Sequence, residues 1–281
     1  MLGVSNYWVT RQRLRLYWIW TSILSSACSG GLSSDPPCKV ALSGISSEAI
    51  RGTSLNDFEI ALTFDRAPSS SSEEIAAFLN SRTIGATFFI EGKKISDTDG
   101  LRYLRESGHL IGNGSLSYGS LAKTPALLTE IRKVDQGITP YVVGNIYLFR
   151  APNQDFNETL AEYLNRQGLQ KYVGPIGWDM SMEIDDPEIA ALCRDEITST
   201  SICSRLFLNI VQQKKKGILR FTDSQKGLLG FLKELIPELE ATKFKFLRLD
   251  QVPDIRRELL KREAQPGTIG GDGGCDDYGS S

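Results

Sequence analysis

Histidine is nearly missing from this chain: His109 is the only imidazole in 281 residues. A single ring excludes every site that needs two, among them the His-Glu-x-x-His zinc proteases, three-histidine zinc sites and two-histidine facial triads. Nucleophilic chemistry of the Ser-His or Cys-His kind must run through His109 or not at all. An excess of one charge is also lacking. The 32 Lys and Arg face 34 Asp and Glu, a net charge of −2, without the basic surplus of a general nucleic-acid binder, so no nucleic-acid partner is expected. Five cysteines are too few for a disulfide-framework fold of this length. Nor is there a long apolar run. The uncharged stretch from Leu16 to Ser34 is apolar only as far as Leu24, short of the ~20 residues of a membrane span. What is present, 41% hydrophobic and 23% charged residues, suits a globular protein with one large α/β domain or two small ones.

The N-terminal region reads as an export signal over residues 1–28. Arg11, Arg13 and Arg15 give a positive flank, Leu16 to Leu24 an apolar segment, and Ser25-Ser26-Ala27-Cys28 the small residues that a signal peptidase accepts. Leu24 to Cys28 also resembles a lipoprotein signal, which would put a lipid anchor on Cys28; plain secretion with cleavage near Ala27 is the other reading. The protein is thus expected to be secreted, periplasmic or held at a membrane as a lipoprotein. Residues 29–56, rich in Ser, Gly and Pro, read as a linker, and residues 256–281, ending in a Gly- and Asp-rich run, as a flexible tail. Exported proteins keep disulfides. Cys193 and Cys203 are expected to close a loop, whereas the pairing of Cys38 and Cys275 stays open.

Between the ends, short apolar runs alternate with amphipathic ones. Strands are expected at Glu59–Phe64, Gly85–Ile90, His109–Asn113, Ile146–Phe149, Tyr172–Trp178, Gly217–Phe221 and Phe244–Leu249. Helices are expected at Ser72–Ser81, Asp99–Ser107, from Thr124-Pro125 through Val134, Asn157–Gln167, Arg205–Gln213 and Gly227–Leu239. Some seven β-α alternations predict a parallel sheet, open or closed, with helices outside. Loops at the strands' C-terminal ends then form the working face. They carry Asp65-Arg66, Asn113-Gly114, Arg150-Ala151-Pro152, Trp178-Asp179 and Thr222-Asp223.

In this order those segments resemble the polysaccharide deacetylases of the NodB-homology type, carbohydrate esterase family four, over residues 57–255. Thr63-Phe64-Asp65-Arg66-Ala67-Pro68 is similar to the family's Thr-Phe-Asp-Asp-Gly-Pro, and Ala86-Thr87-Phe88-Phe89 to its Ala-Thr-Phe-Phe strand, with Gly92 just beyond it. Gly108 to Tyr118 follows Gly-His-Glu-Ile-Gly-Asn-His-Ser-x-x-His, Arg150-Ala151-Pro152 fits Arg-x-Pro, and Gly217 to Asp223 fits the closing strand that normally ends His-Asp. The resemblance implies a distorted (β/α) barrel of about seven parallel strands and hydrolysis of N-acetyl C–N bonds in chitin- or peptidoglycan-like glycans. In the family a divalent metal, usually zinc, acidifies a water and polarises the acetyl carbonyl. An aspartate beside the metal-binding Asp acts as base, and a histidine on the last strand protonates the leaving amine.

Carried over residue by residue, Asp65 keeps the base position, and Arg150 and Asp179 match groups that orient and support it. The metal-ligand positions hold Arg66, Gly114 and Tyr118, and Thr222 replaces the general-acid histidine. His109 matches a histidine that is not a ligand. None of the three replacements is a plausible zinc donor, so no cofactor is expected; Arg66 is expected to repel a dication and pair with Asp65 instead. The implied protein is an inactive exported pseudoenzyme that binds an N-acetylated glycan or cell-wall polysaccharide. Tyr118 and Trp178, with Tyr147 and Phe149, are candidates for stacking on sugar rings. Two other readings remain: an amidohydrolase with a metal relocated to Asp179, Glu183, Asp185, Asp186 and Asp223, and a protein-interaction scaffold.

Overall fold

Continuous apolar runs belong in strands covered on both faces, and the run from Ile60 to Phe64 takes the centre of the sheet. A computed structural model describes residues 44–95, 98–182, 193, 197 and 199–263. The expectations for Cys28, Cys38, Cys275, Glu183, Asp185 and Asp186 therefore lie outside the described residues. Strand β1 (Glu59–Ala67) pairs in parallel with β2 (Thr87–Ile90) on one side and β5 (Gly217–Thr222) on the other; β3 (Leu110–Asn113) follows β2, and β4 (Met180–Ser181) follows β5. The short β6 (Lys245–Phe246) pairs with the start of β1.

The ring closes irregularly. Past β3, single bridges join Asn113 to Phe149 and Leu148 to Val173. The segment that starts at Val173 runs on to Met180 and Ser181, which pair with Leu219 and Arg220 of β5. One stretch of chain thus touches both ends of the sheet, which makes the fold a distorted parallel α/β barrel. Among the described residues it has six regular strands; the expected strands at Ile146–Phe149 and Tyr172–Trp178 contribute only bridges, and Phe244–Leu249 shortens to two residues. Helices α1 (Ser72–Asn80), α2 (Asp99–Glu106), α3 (Leu127–Ile138), α4 (Glu158–Arg166), α5 (Thr200–Lys214) and α6 (Leu228–Ala241) lie close to the expected spans. None of the described helices is long and apolar enough to cross a membrane.

Strand alternation sorts the core into layers. Ile60, Leu62 and Phe64 face the helices and pack with Phe88, Leu219, Phe221 and Phe231. Ala61 faces the other way and joins Phe89, Leu110, Leu148, Ile176 and Ile218 in a second cluster inside the ring. Leu55, Leu249, Val252 and Ile255 belong to that inner cluster, which explains why the folded region outruns its expected limits at both ends. Ile50 bridges Ile176 and Gly52–Ser54 forms a 3-10 turn within the expected linker, while α7 (Pro253–Glu263) occupies the start of the expected tail. Cys193 and Cys203 are joined by a disulfide, with Cα atoms 6.0 Å apart.

His109 is wholly buried between α1 and β2. Its Nδ1 accepts from the amide of Ala86 at 3.1 Å, so the proton sits on Nε2, which donates to the carbonyl of Ala76 at 3.2 Å. The ring edge meets Phe88, centroids 5.4 Å apart. Burial lowers its pKa below the ordinary 6.5 despite the Ala76 bond. The unfolded chain therefore binds a proton that the folded chain refuses, and stability present above pH 6.5 is lost as pH falls below it. The slope can reach about 1.4 kcal/mol per pH unit. Urea unfolding between pH 7 and pH 5 should show this fall, and His109→Gln should flatten it; carboxylate contributions common to both proteins cancel in the comparison. An identical slope in the variant would refute the assignment.

Candidate active site

Above the apolar inner layer, the same face of β1 presents Thr63 and then Asp65 to the ring's interior. Asp65 is fully buried. Its Oδ1 accepts from Arg150 Nη1 at 2.8 Å, and its Oδ2 from Arg220 Nε at 2.6 Å and from the Tyr118 hydroxyl at 2.8 Å. Each donor is held by others in turn. Arg150 also donates to Thr63 Oγ1 at 2.8 Å and to the carbonyls of Ile176 and Gly177 at 2.9 and 3.1 Å. Its guanidinium lies 4.2 Å from the centroid of Phe89. Arg220 reaches the Tyr118 oxygen with Nη2 at 3.1 Å, and Trp178 flanks both guanidiniums, 5.6 Å from Arg150 and 4.6 Å from Arg220. The four side chains form one closed hydrogen-bonded unit.

The electrostatics follow from burial and from opposed charges. Burial alone would raise the Asp65 pKa, but Arg150 and Arg220 outweigh it and hold the carboxyl below its ordinary value. Burial, followed by the charge of Asp65, pushes the Tyr118 phenol well above its usual range, so at neutral pH it is an uncharged donor. Asp223, just past β5, is also buried. Its Oδ2 accepts from Ser72 at 2.6 Å, its Oδ1 has no hydrogen-bond partner among the described residues, and burial raises its pKa.

Several expectations change. Arg66 does not pair with Asp65: its Nε donates to Glu91 Oε2 at 3.1 Å, and Arg220, an inward residue in the middle of β5, takes the position beside Asp65. Asp179 does not reach the base position. Its carboxylate accepts from the amides of Gly52 and Ile218, at 2.8 and 2.7 Å, at the opposite end of β5. The length of that strand, about 3.3 Å per residue, separates Asp179 from Asp223, so the two cannot share a metal ion. Trp178 is only 5% exposed and Phe149 fully buried, and Tyr147 packs edge-on against Tyr172, so Trp178 and Phe149 offer no stacking shelf. Tyr118 holds its hydroxyl on Asp65. Thr222 stands at the mouth, in register with Asp65.

The positions that the resemblance assigns to a metal do not fit one. Gly114 offers no donor, and a Cβ there would lie 2.9 Å from the Ile90 carbonyl oxygen. Arg66 is cationic, Tyr118 is a neutral phenol engaged with Asp65, and His109 is turned into the core by both ring nitrogens. No group of three or more His, Cys, Asp or Glu among the described residues is placed to hold a metal ion.

Removing one partner of a buried ion pair costs about 3–5 kcal/mol, because the other charge is left uncompensated. Asp65→Asn strands two buried guanidiniums and should destabilise by that amount in urea unfolding at pH 7. Tyr118→Phe removes one neutral hydroxyl and leaves both ion pairs in place, so it should cost less, about 1.5–3 kcal/mol. Equal costs for the two substitutions would show that the ion pairs are not the anchor.

Residues 53–172 match the family model for polysaccharide deacetylase. No curated protein is similar enough in sequence to match. Solved structures similar in fold include the chitin deacetylase of the fungal pathogen Colletotrichum lindemuthianum, at 17% identity and a TM-score of 0.56, over 70% of this chain and 88% of that one. Peptidoglycan deacetylase PdaC from Bacillus subtilis is 19% identical with a TM-score of 0.55, over 74% and 96%. PdaA of Bacillus subtilis, a family 4 carbohydrate esterase, is 18% identical with a TM-score of 0.56, over 71% and 82%. Residues 53–172 are thus similar to polysaccharide deacetylases, and the chain shares its fold with family 4 carbohydrate esterases.

Proposed function

We propose that this chain is an exported, non-hydrolytic member of the polysaccharide deacetylase group that binds an N-acetylated glycan of the chitin or peptidoglycan kind. The observation that carries the reading is the saturation of Asp65. A general base needs a free lone pair facing its water and a pKa near the working pH. Both oxygens of Asp65 are taken by Arg150, Arg220 and Tyr118, and its pKa is lowered. The general-acid position is changed as well: Thr222 carries a hydroxyl that stays neutral there, and His109 is sealed in the core. Residues unsuited to holding zinc at positions 66, 114 and 118 remove the remaining catalytic device.

Glycan binding is supported by the family and by its fold relatives, whose names record chitin and peptidoglycan as their substrates. Export is supported by the arginine-flanked apolar segment and the small residues up to Cys28, and a lipid anchor on Cys28 is part of the proposal.

The test pairs chemistry with binding. Purified protein incubated with N-acetylglucosamine oligomers and added Zn²⁺ should release no acetate and hold no stoichiometric metal. The same oligomers should shift amide resonances of the mouth residues at millimolar concentration or below. Acetate release with one bound metal per chain would overturn the silent-catalyst part, and absence of any binding would overturn the glycan part.

A further inference from the structure

The working mouth carries a charge arrangement that the Asp65 cluster does not use. Pairing of β1 with β2 slips between Phe64 and Ala67, and Arg66 sits in the slip at φ 63°, the left-handed region that non-glycine residues rarely adopt. Bulges of this kind re-aim a side chain. Here Arg66 is taken out of strand alternation and laid over the ring of Tyr118, 5.3 Å from its centroid, beside the Asp65 cluster. Its Nε donates to Glu91 Oε2, and Lys94 Nζ lies 3.5 Å from that same oxygen while donating to the Arg66 carbonyl at 2.7 Å. Glu91 is nearly buried, at 8% side-chain exposure, against 43% for Arg66 and 26% for Lys94.

Two cations therefore share the Glu91 carboxylate, with the buried Asp223 within electrostatic reach of Lys94, and the guanidinium of Arg66 lies on the solvent side. With Nε turned inward, Nη1 and Nη2 of Arg66 make no hydrogen bond among the described residues. A planar pair of donors at a partly desolvated mouth matches the two oxygens of a carboxylate or phosphate. The held, strained backbone at Arg66 is of the kind that clusters at functional positions. We infer that the mouth recognises an oxyanion borne by a saccharide, gripped by the Nη1–Nη2 fork of Arg66 with Lys94 alongside. This deepens the glycan-binding reading above and rests on it.

Calorimetric titration of the full protein with four probes tests the inference: an N-acetylglucosamine tetramer, a hexuronate tetramer, a phosphorylated sugar and inorganic phosphate. An acidic saccharide should bind about tenfold or more tightly than the neutral tetramer, as a charge-assisted pair allows, and high salt should erase most of that margin. Whether the uronate or the phosphorylated sugar shows the margin identifies the oxyanion. Arg66→Gln should abolish the preference, and Arg66→Lys should restore only part of it, because an ammonium lacks the fork. Thermal unfolding checks that the variants fold, and Lys94→Gln supplies a second variant that should halve the margin or more. Equal affinity for neutral and acidic tetramers, or a preference unchanged in Arg66→Gln, overturns the oxyanion site and leaves the glycan reading standing. Arg66-dependent binding of inorganic phosphate with no saccharide bound leaves the oxyanion site and overturns the glycan reading. No binding by any probe overturns both.

Discussion

The carboxylate of Asp65 has to be charged, dry and compensated at once, and that constraint orders the mouth of the barrel. A lone carboxylate taken out of water is so costly that it would protonate rather than stay ionised. Two guanidiniums reverse the balance, since each brings an opposite charge within hydrogen-bond distance. They come from different quarters of the ring, Arg150 from the segment after the Leu148 and Phe149 bridges and Arg220 from the middle of β5. The unit therefore forms only when the ring is assembled. Buried ion pairs of this kind often add little net stability over an apolar replacement, but they penalise any packing that leaves a member alone.

The barrel supplies the place for this unit by simple alternation. Ala61, Thr63 and Asp65 share one face of β1, and Ile218 and Arg220 share one face of β5. The inner layer is apolar at the level of Ala61 and Ile218, then turns polar at the level of Asp65 and Arg220. Phe89 and Trp178 form the border, with ring faces towards the guanidiniums that would otherwise meet aliphatic carbon. An aromatic in this position serves the cations, so it is not free to serve a sugar.

What the sequence made legible follows the range of the physics involved. Apolar periodicity is local, and it placed β2, β5 and α6 within a residue or two and β1 within three. The first turn of α5 was missed because Thr200, Ser201 and Ser204 mask its apolar face. Asp65 and Arg150 were recognisable from strand-end motifs. Arg220 was overlooked although it left a signal: a charged residue between Leu219 and Phe221 in a buried strand demands a counter-charge inside the ring. The turn of Arg66 to Glu91 could not be read at all, since it depends on a slipped register and a positive φ rather than on any pattern of residue types. Asp179 was misjudged for a similar reason. Its neighbours in sequence suggest the mouth, but the bridge of Ile50 to Ile176 brings the amide of Gly52 to its carboxylate at the other end of β5.

Retention of Asp65 at a position that resembles a catalytic base carries less weight than its identity suggests. In a mouth where the neighbouring position is Arg66 and the adjacent strand β5 holds Arg220, an aspartate at position 65 is demanded by charge balance alone. Replace it with a neutral residue and Arg150 and Arg220 face each other across a dry layer. Replace Arg220 instead and Asp65 keeps only Arg150 and a phenol. The residues are therefore coupled. Once an arginine stands beside the carboxylate, the carboxylate keeps the arginine in place, the arginine keeps the carboxylate ionised, and neither needs a reaction to explain it. The outward turn of Arg66 belongs to the same balance: with Asp65 already satisfied by two cations, a third has no electrostatic reason to join it, and its guanidinium is left at the opening, sharing the carboxylate of Glu91 with Lys94.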